Sequence, residues 1–217
     1  MLDALVYIMF SMVDGLAIII FAFGSFKIDL KTYWKEIPIS STVISVCNFF
    51  LSRHDTLSNY SPILSMTLMF IFLLFFFRIS VLSSVRITVI GFVAQTLTQG
   101  IMIYATSLLI GKNLETIKSD DFLRSALQLI SGIALVYISV LLRKNRKYFT
   151  TLPYDYSYKI KFTKTNVILL FSSVVVTTII VNLFNFSNFL IELIVLLFCF
   201  TNIIALETRK ELREEID

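Results

Sequence analysis

The apolar positions of this chain fall in long blocks separated by short polar stretches. Seven blocks can be read, near residues 4–26, 37–52, 61–77, 87–110, 122–142, 166–185 and 188–206. Each is about 17 to 25 residues long, the length a helix needs to cross about 30 Å of hydrocarbon. A strand with open edges cannot satisfy its backbone in lipid, so the blocks read as helices. The second, "IPISSTVISVCNFFLS", is the most polar of the seven. The pattern predicts an all-α, polytopic transmembrane helix bundle with the N-terminus outside and the C-terminus cytoplasmic.

The polar stretches between blocks decide the orientation. With the N-terminus outside, fifteen of the 19 Lys and Arg fall on the inner side. These include Lys27, Lys31, Lys35, Arg78, Arg86, Arg143, Lys144, Arg146 and Lys147. The outer side keeps Arg53, Lys112, Lys118 and Arg124. Such a bias is the positive-inside signal, and it supports an odd number of spans. The largest inner loop, "RKNRKYFTTLPYDYSYKIKFTK", is basic at both ends with Tyr148, Tyr154, Tyr156 and Tyr158 between them. Lys, Arg and Tyr in that order suit a headgroup-level anchor. A docking surface for a partner protein is the rival reading. The longest outer loop, "GKNLETIKSDDFLR", is too small to be a folded sensor domain.

Composition sharpens the class. Of the 217 residues, 57% are hydrophobic and 21 are Phe. A soluble domain of this size would need more polar surface. Six Gly and three Pro leave the helices largely uninterrupted. The net charge of +4 lies in membrane-flanking loops, so it points to the lipid bilayer as partner and away from nucleic acid. Cys47 and Cys199 both lie inside apolar blocks and read as free buried thiols. The first block starts acidic and lacks a small-residue cleavage site, so it reads as a retained span. Neither an internal repeat nor a matched pair of broken helices is visible.

Few residues carry chemistry. His54, the only histidine, stands in "SRHDTLSNY" between two spans. With Asp55 and Asn59 it has some flavour of a kinase phosphoacceptor. That motif belongs on a cytoplasmic helix, so the stretch reads as a solvated turn. Cys47 and His54, seven residues apart, would be held about 10 Å apart by a helix, too far for a nucleophile and its base. One His and two separated Cys make no metal site. The chain is therefore expected to be no enzyme and to hold no cofactor.

Polar residues at bilayer depth say more. Asp14, Asn48, Gln95, Gln99, Gln128 and Glu192 form the candidate ligand-binding set. Gln95 and Gln99 share a helix face. Amides at depth serve packing by interhelical hydrogen bonds, each contributing roughly 1 kcal/mol. Ionisable groups at depth face a bundle interior or a wet cavity, as struts or as ligand and ion contacts.

After the last span the chain reads "ETRKELREEID". Residues 1–206 thus form a transmembrane domain and 207–217 a charged cytoplasmic helical tail. Leu212 and Ile216 share a face, whereas Glu207–Glu211 and Arg209–Arg213 are like-charge pairs. Such a short helix is marginal alone and suited to continuing a span. Glu207, Leu212 and Ile216 are the candidate output residues.

Seven spans, an outside N-terminus, short outer loops, a Lys/Tyr-rich inner loop and "ALETRKELREEID" at the exit resemble the membrane input module of peptide-pheromone receptor histidine kinases of the accessory-gene-regulator type. Those kinases carry a GHKL ATPase domain, and nothing in this chain matches their phosphoacceptor helix or ATP-binding boxes. The resemblance implies a receptor module without its kinase in a bacterial cytoplasmic membrane. It would bind an extracellular peptide or amphiphile and signal through the last span to a cytoplasmic kinase, as a homodimer or with a partner. Two further expectations stand beside it: a transport component whose intramembrane acids line a substrate path, and a small immunity or accessory membrane protein.

Overall fold

The computed structural model describes residues 2–52, 60–111, 113–146, 148–149, 164–183 and 189–214. All regular structure among them is helical. The helices are α1 (Leu2–Ser25), α2 (Glu36–Ser52), α3 (Ser61–Phe75), α4 (Val81–Ile110), α5 (Leu114–Ser119), α6 (Asp121–Lys144), α7 (Lys164–Leu183) and α8 (Phe189–Glu214). Seven of these coincide with the apolar blocks of the sequence, and α5 is a short addition in the 111–120 connection. Four helices, α1, α4, α6 and α8, are long and apolar enough to cross a membrane, and the chain is a helical membrane protein. The remaining apolar stretches, Glu36–Leu51, Ser61–Phe75 and Asn166–Ile180, are shorter.

The Ser and Thr of the most polar block do not prevent a helix. Thr42 Oγ1 donates to the Pro38 carbonyl at 2.8 Å and Ser45 Oγ to the Ser41 carbonyl at 2.7 Å. These two hydroxyls are satisfied by their own helix and Ser41 Oγ by the Met12 carbonyl of α1, which lowers the cost of placing the segment away from water.

The helix α4 is the axle of the bundle. It packs against α1, α3, α5, α6, α7 and α8. Of its most apolar stretch 78% is buried by protein, against 28%, 28% and 22% for α1, α6 and α8. Leu108, Leu109, Phe122, Phe75 and Phe171 lie exposed on the outside of the bundle. In lipid those side chains need no protein partner, and the buried faces are where small and polar residues collect.

Close approach is built from small residues. A Cβ at Gly24 would lie 1.9 Å from Ser139 Oγ, and one at Gly91 would lie 3.1 Å from both Ala22 Cβ and Ile18 Cγ2. The first joins α1 to α6 and the second joins α1 to α4. Ser139 Oγ uses the space to donate to the Ile20 carbonyl at 3.1 Å.

One end of the bundle collects the basic residues. There α1, α3, α6 and α8 finish while α2, α4 and α7 begin. Three helix exits at this end place a cation in the left-handed region: Lys27 (φ 55°) after α1, Arg78 (φ 53°) after α3 and Arg146 (φ 55°) after α6. At the far end Gly111 (φ 67°) closes α4 in the usual way. Tyr33, Phe23 and Phe77 pack edge-on at the basic end, with centroids 5.1 to 6.1 Å apart. Lys27 Nζ lies 5.4 Å over the Tyr148 ring and Lys35 Nζ 5.5 Å from that of exposed Trp34. This is the amphipathic belt expected of a membrane–water boundary.

The α1–α6 crossing yields a direct expectation. Gly24→Val should lower the stability of the detergent-solubilised protein by about 1–3 kcal/mol, because overpacking must part the helices. Gly132→Ala, whose added Cβ would meet Ala17 Cβ at an ordinary 3.5 Å, should be nearly neutral. Thermal unfolding in one detergent compares the two.

Candidate functional site

Three of the six intramembrane polar residues converge. Asp14 projects from the middle of α1, about 18 Å along the helix from Leu2. One carboxylate oxygen, Oδ1, accepts from Gln95 Nε2 of α4. The other, Oδ2, accepts from Gln128 Nε2 of α6 at 3.2 Å. Ser131 Oγ, one turn beyond Gln128, lies 3.4 Å from the Gln95 amide and donates to the Gln128 carbonyl at 2.9 Å. Gln95 and Ser131 are buried, while Asp14 and Gln128 are half-buried. Three helices are thus tied by one carboxylate and two carboxamides.

The charge at this cluster has no ionic partner among the described residues. Both neighbours of the carboxylate are neutral amides. Gln95 is 4% exposed, and its Oε1 is buried with no donor. A satisfied strut would leave neither feature, since a lone charge and an orphaned carbonyl are both costly at depth. Chemically, the cluster can hold a carboxylate by two amide N–H groups or offer oxygen ligands to something positive.

The other members of the candidate set lie elsewhere. Asn48 Oδ1 accepts from Ser61 Oγ at 3.0 Å and from Ser65 Oγ at 2.8 Å, a separate tie between α2 and α3. Gln99 is one turn beyond Gln95 and makes no hydrogen bond among the described residues. Glu192 stands in the first turn of α8, where the helix dipole favours an acid, and its Oε2 is buried without a partner.

A second polar site sits at the basic end. Arg86 of α4 and Glu207 of α8 form a two-pronged ion pair, Nε to Oε1 and Nη2 to Oε2. Arg86 is 5% exposed and Glu207 0%. The Arg86 guanidinium also lies 5.7 Å from the Phe26 ring centroid. The sequence placed Arg86 in an inner loop, before a span starting at 87. Instead α4 begins at Val81, and the arginine is inside the bundle because an acid across from it makes burial tolerable. A shallow groove between α4, α7 and α8 opens beside it, lined by Val89, Asn166, Leu169, Ser173 and Ile203.

Arg143 is likewise turned inward, although the sequence counted it as a loop charge. It belongs to α6, and its Nη2 donates to the carbonyls of Ile28 and, at 3.5 Å, Phe23. It thereby caps the end of α1, where a cation suits the helix dipole.

Among the output residues, Glu207 is held by Arg86 and Leu212 lies within the last turns of α8, whose helix runs through Leu206 and Glu207 unbroken. Ile216 lies outside the described residues, as do His54, Asp55, Asn59, Tyr154, Tyr156 and Tyr158. Cys47 and Cys199 are free thiols. No group of His, Cys, Asp and Glu capable of holding a metal occurs among the described residues.

Sequence reasoning missed Ser131 and the partnership of Arg86. A signal existed for the second: "VLSSVRITVI" puts a cation a turn and a half inside a helix, and "IIALETRK" puts an acid at the equivalent level of the last span. Comparison with known proteins finds no matching family model, no matching curated protein and no matching solved structure.

The ion pair should behave as an interdependent unit. Arg86→Met or Glu207→Met alone should cost about 3–5 kcal/mol, because each strands a buried charge. The double variant should recover most of that loss. Unfolding of all four proteins in mixed micelles gives the coupling directly.

Proposed function

We propose that this chain is a membrane receptor module that passes a signal from the bundle interior to the exit of its last helix. It crosses the membrane seven times, with the basic end in the cytoplasm and the N-terminus outside. That placement follows the distribution of Lys and Arg and the aromatic belt at the basic end. A peptide or amphiphile engages the half of the bundle remote from the basic end, near α4 and α6. A cytoplasmic kinase or a second copy of the chain reads the movement of α8. This is the role of the input modules of peptide-pheromone receptor kinases.

The observation that carries this reading is the position of Arg86 and Gln95 on one helix. Nine residues separate them, about 13.5 Å along α4. Gln95 joins α4 to α1 and α6 through Asp14, and Arg86 joins α4 to α8 where α8 leaves the bundle. Because α4 is enclosed by protein, a shift or rotation at one contact is carried to the other. Glu207 fits an output residue because it is the first charged residue of the tail and is gripped by Arg86.

A second reading, a transport component, has its own support in Asp14 and in Glu192, whose Oε2 is buried without a partner. Here the two acids and Gln95 line a path for substrate.

Hydrogen exchange of the full chain in lipid nanodiscs separates the two. Under the receptor reading, Asp14→Asn and Gln95→Leu each change the exchange of the 205–214 amides by about 5-fold or more, as a coupling of at least 1 kcal/mol requires. Wild-type exchange there in both variants would defeat it. Proteoliposome uptake that is abolished by the same substitutions while tail exchange stays unchanged would establish the transport reading.

A further inference from the structure

The structure assigns Asp14 as a reversible proton-binding site at the centre of the bundle, with the Gln95 carboxamide as the group that changes partner when the proton arrives. The inference does not depend on the receptor reading, because a proton taken up at Asp14 serves a sensor and a transport path equally.

Charge is the first ground. Asp14 lies mid-helix in a membrane-spanning segment, and its only hydrogen-bond partners among the described residues are the neutral amides of Gln95 and Gln128. The surroundings supply no other compensation. Within one turn of the contacting positions, α1 (10–18), α2 (37–45) and α4 (91–99) carry no further ionisable side chain. Over the equivalent stretch of α6 (124–135) there is only Arg124, which is exposed. The polar groups of α2 facing this level are hydroxyls, with Ser41 Oγ given to the Met12 carbonyl at 2.6 Å. A carboxylate so placed is neutralised most simply by a proton.

The hydrogen-bond inventory is the second. An ionised carboxyl only accepts, and it uses the N–H groups of both amides. Gln95, 4% exposed, then keeps Oε1 buried without any donor. In the neutral state, Asp14 gains an O–H and needs an acceptor. A half-turn of the Gln95 amide about its last side-chain bond supplies one, bringing Oε1 where Nε2 stood. There it accepts from Asp14, and Ser131 Oγ, 3.4 Å from that position, becomes a second donor once its hydrogen leaves the Gln128 carbonyl. The proton comes from water, the new bond is Oδ1–H, and the charge of the cluster goes from −1 to 0. Gln128 keeps its N–H on Oδ2 in both states. Part of the Gln95 amide stays unpaired in either state, Oε1 in the ionised one and Nε2 in the neutral one, so the inventory does not lock the ionised form, and α4 is the helix whose side chain turns.

Infrared difference spectroscopy between acid and alkaline buffer tests this on the full chain in nanodiscs. A protonated-carboxyl C=O band should appear in acid, vanish in Asp14→Asn, return at a shifted frequency in Asp14→Glu, and move in Gln95→Leu. It should be unchanged in Glu192→Gln. Replacing choline chloride by sodium chloride at fixed pH should leave it unaltered. A band that survives Asp14→Asn, or no pH-dependent band in the wild type, would overturn the assignment. So would a band displaced by sodium, which would make the cluster an alkali-ion site. Circular dichroism of each variant confirms that a lost band is not a lost fold. Failure here leaves tail exchange untouched, and unchanged tail exchange leaves this band untouched, so the two proposals fail separately.

Discussion

Lipid offers a polar group nothing, and α4 is built around that constraint. Its sequence "VLSSVRITVIGFVAQTLTQGIMIYATSLLI" holds Arg86, Gln95, Gln99 and a series of Ser and Thr. On the outside of the bundle those residues would be expensive. Enclosed by six other helices, Arg86 and Gln95 become the means of holding the bundle together. The hydrophobic effect does not drive helices together inside a bilayer, so specific ties must. Arg86 meets Glu207, Gln95 meets Asp14, and Gly91 lets α1 close in. Thr96 and Thr98 return their hydroxyls to the α4 backbone at 2.8 Å.

The same constraint shapes the helix ends. A helix leaves several carbonyls unpaired at its C-terminus, and at a boundary between lipid and water something must satisfy them. At the far end a glycine turns the chain after α4. At the basic end the chain spends Lys27, Arg78 and Arg146 in left-handed positions, at a steric cost on the order of 1 kcal/mol each. The turn returns hydrogen bonds to the helix: Ile28 N–H reaches the Phe23 carbonyl and Ile79 N–H the Leu73 carbonyl, both at 3.0 Å. A cation beside the negative end of a helix and a polar headgroup layer recovers part of that cost. Glycine would turn as easily and contribute no charge.

Much of the fold was legible in the sequence, because the bilayer permits few solutions. Block length gave seven helices whose ends fall within a few residues of those observed, apart from the start of α4 and the end of α8, which runs on from 206 to Glu214. The order of packing was not legible. Composition hints at the axle, since α4 is the least apolar of the four long helices, but it does not say which helices surround it or which faces meet. Arg86 shows why: a cation near a block edge reads as a loop charge until an acid appears opposite it. At the candidate site, the types of residue were visible and their grouping was not. Asp14, Gln95 and Gln128 come from three helices, and Asn48 turned out to serve α2 and α3 alone. Contacts between residues 81 and 114 apart leave no local trace.

Two polar sites on one enclosed helix are not independent. Rotating α4 enough to withdraw Gln95 from Asp14 carries Arg86 round with it, since nine residues of unbroken helix transmit torsion with little loss. Arg86 cannot simply follow, because Glu207 would be left buried and unpaired, which costs several kcal/mol. The bundle therefore has two ways to respond: α8 moves with Arg86, or the rotation does not occur. A flexible contact at Glu207 would have absorbed the change, and a two-pronged guanidinium–carboxylate pair has fixed directions. On the receptor reading proposed above, the rigidity of this ion pair is what would let the exit of α8 report a rotation of α4 at Gln95.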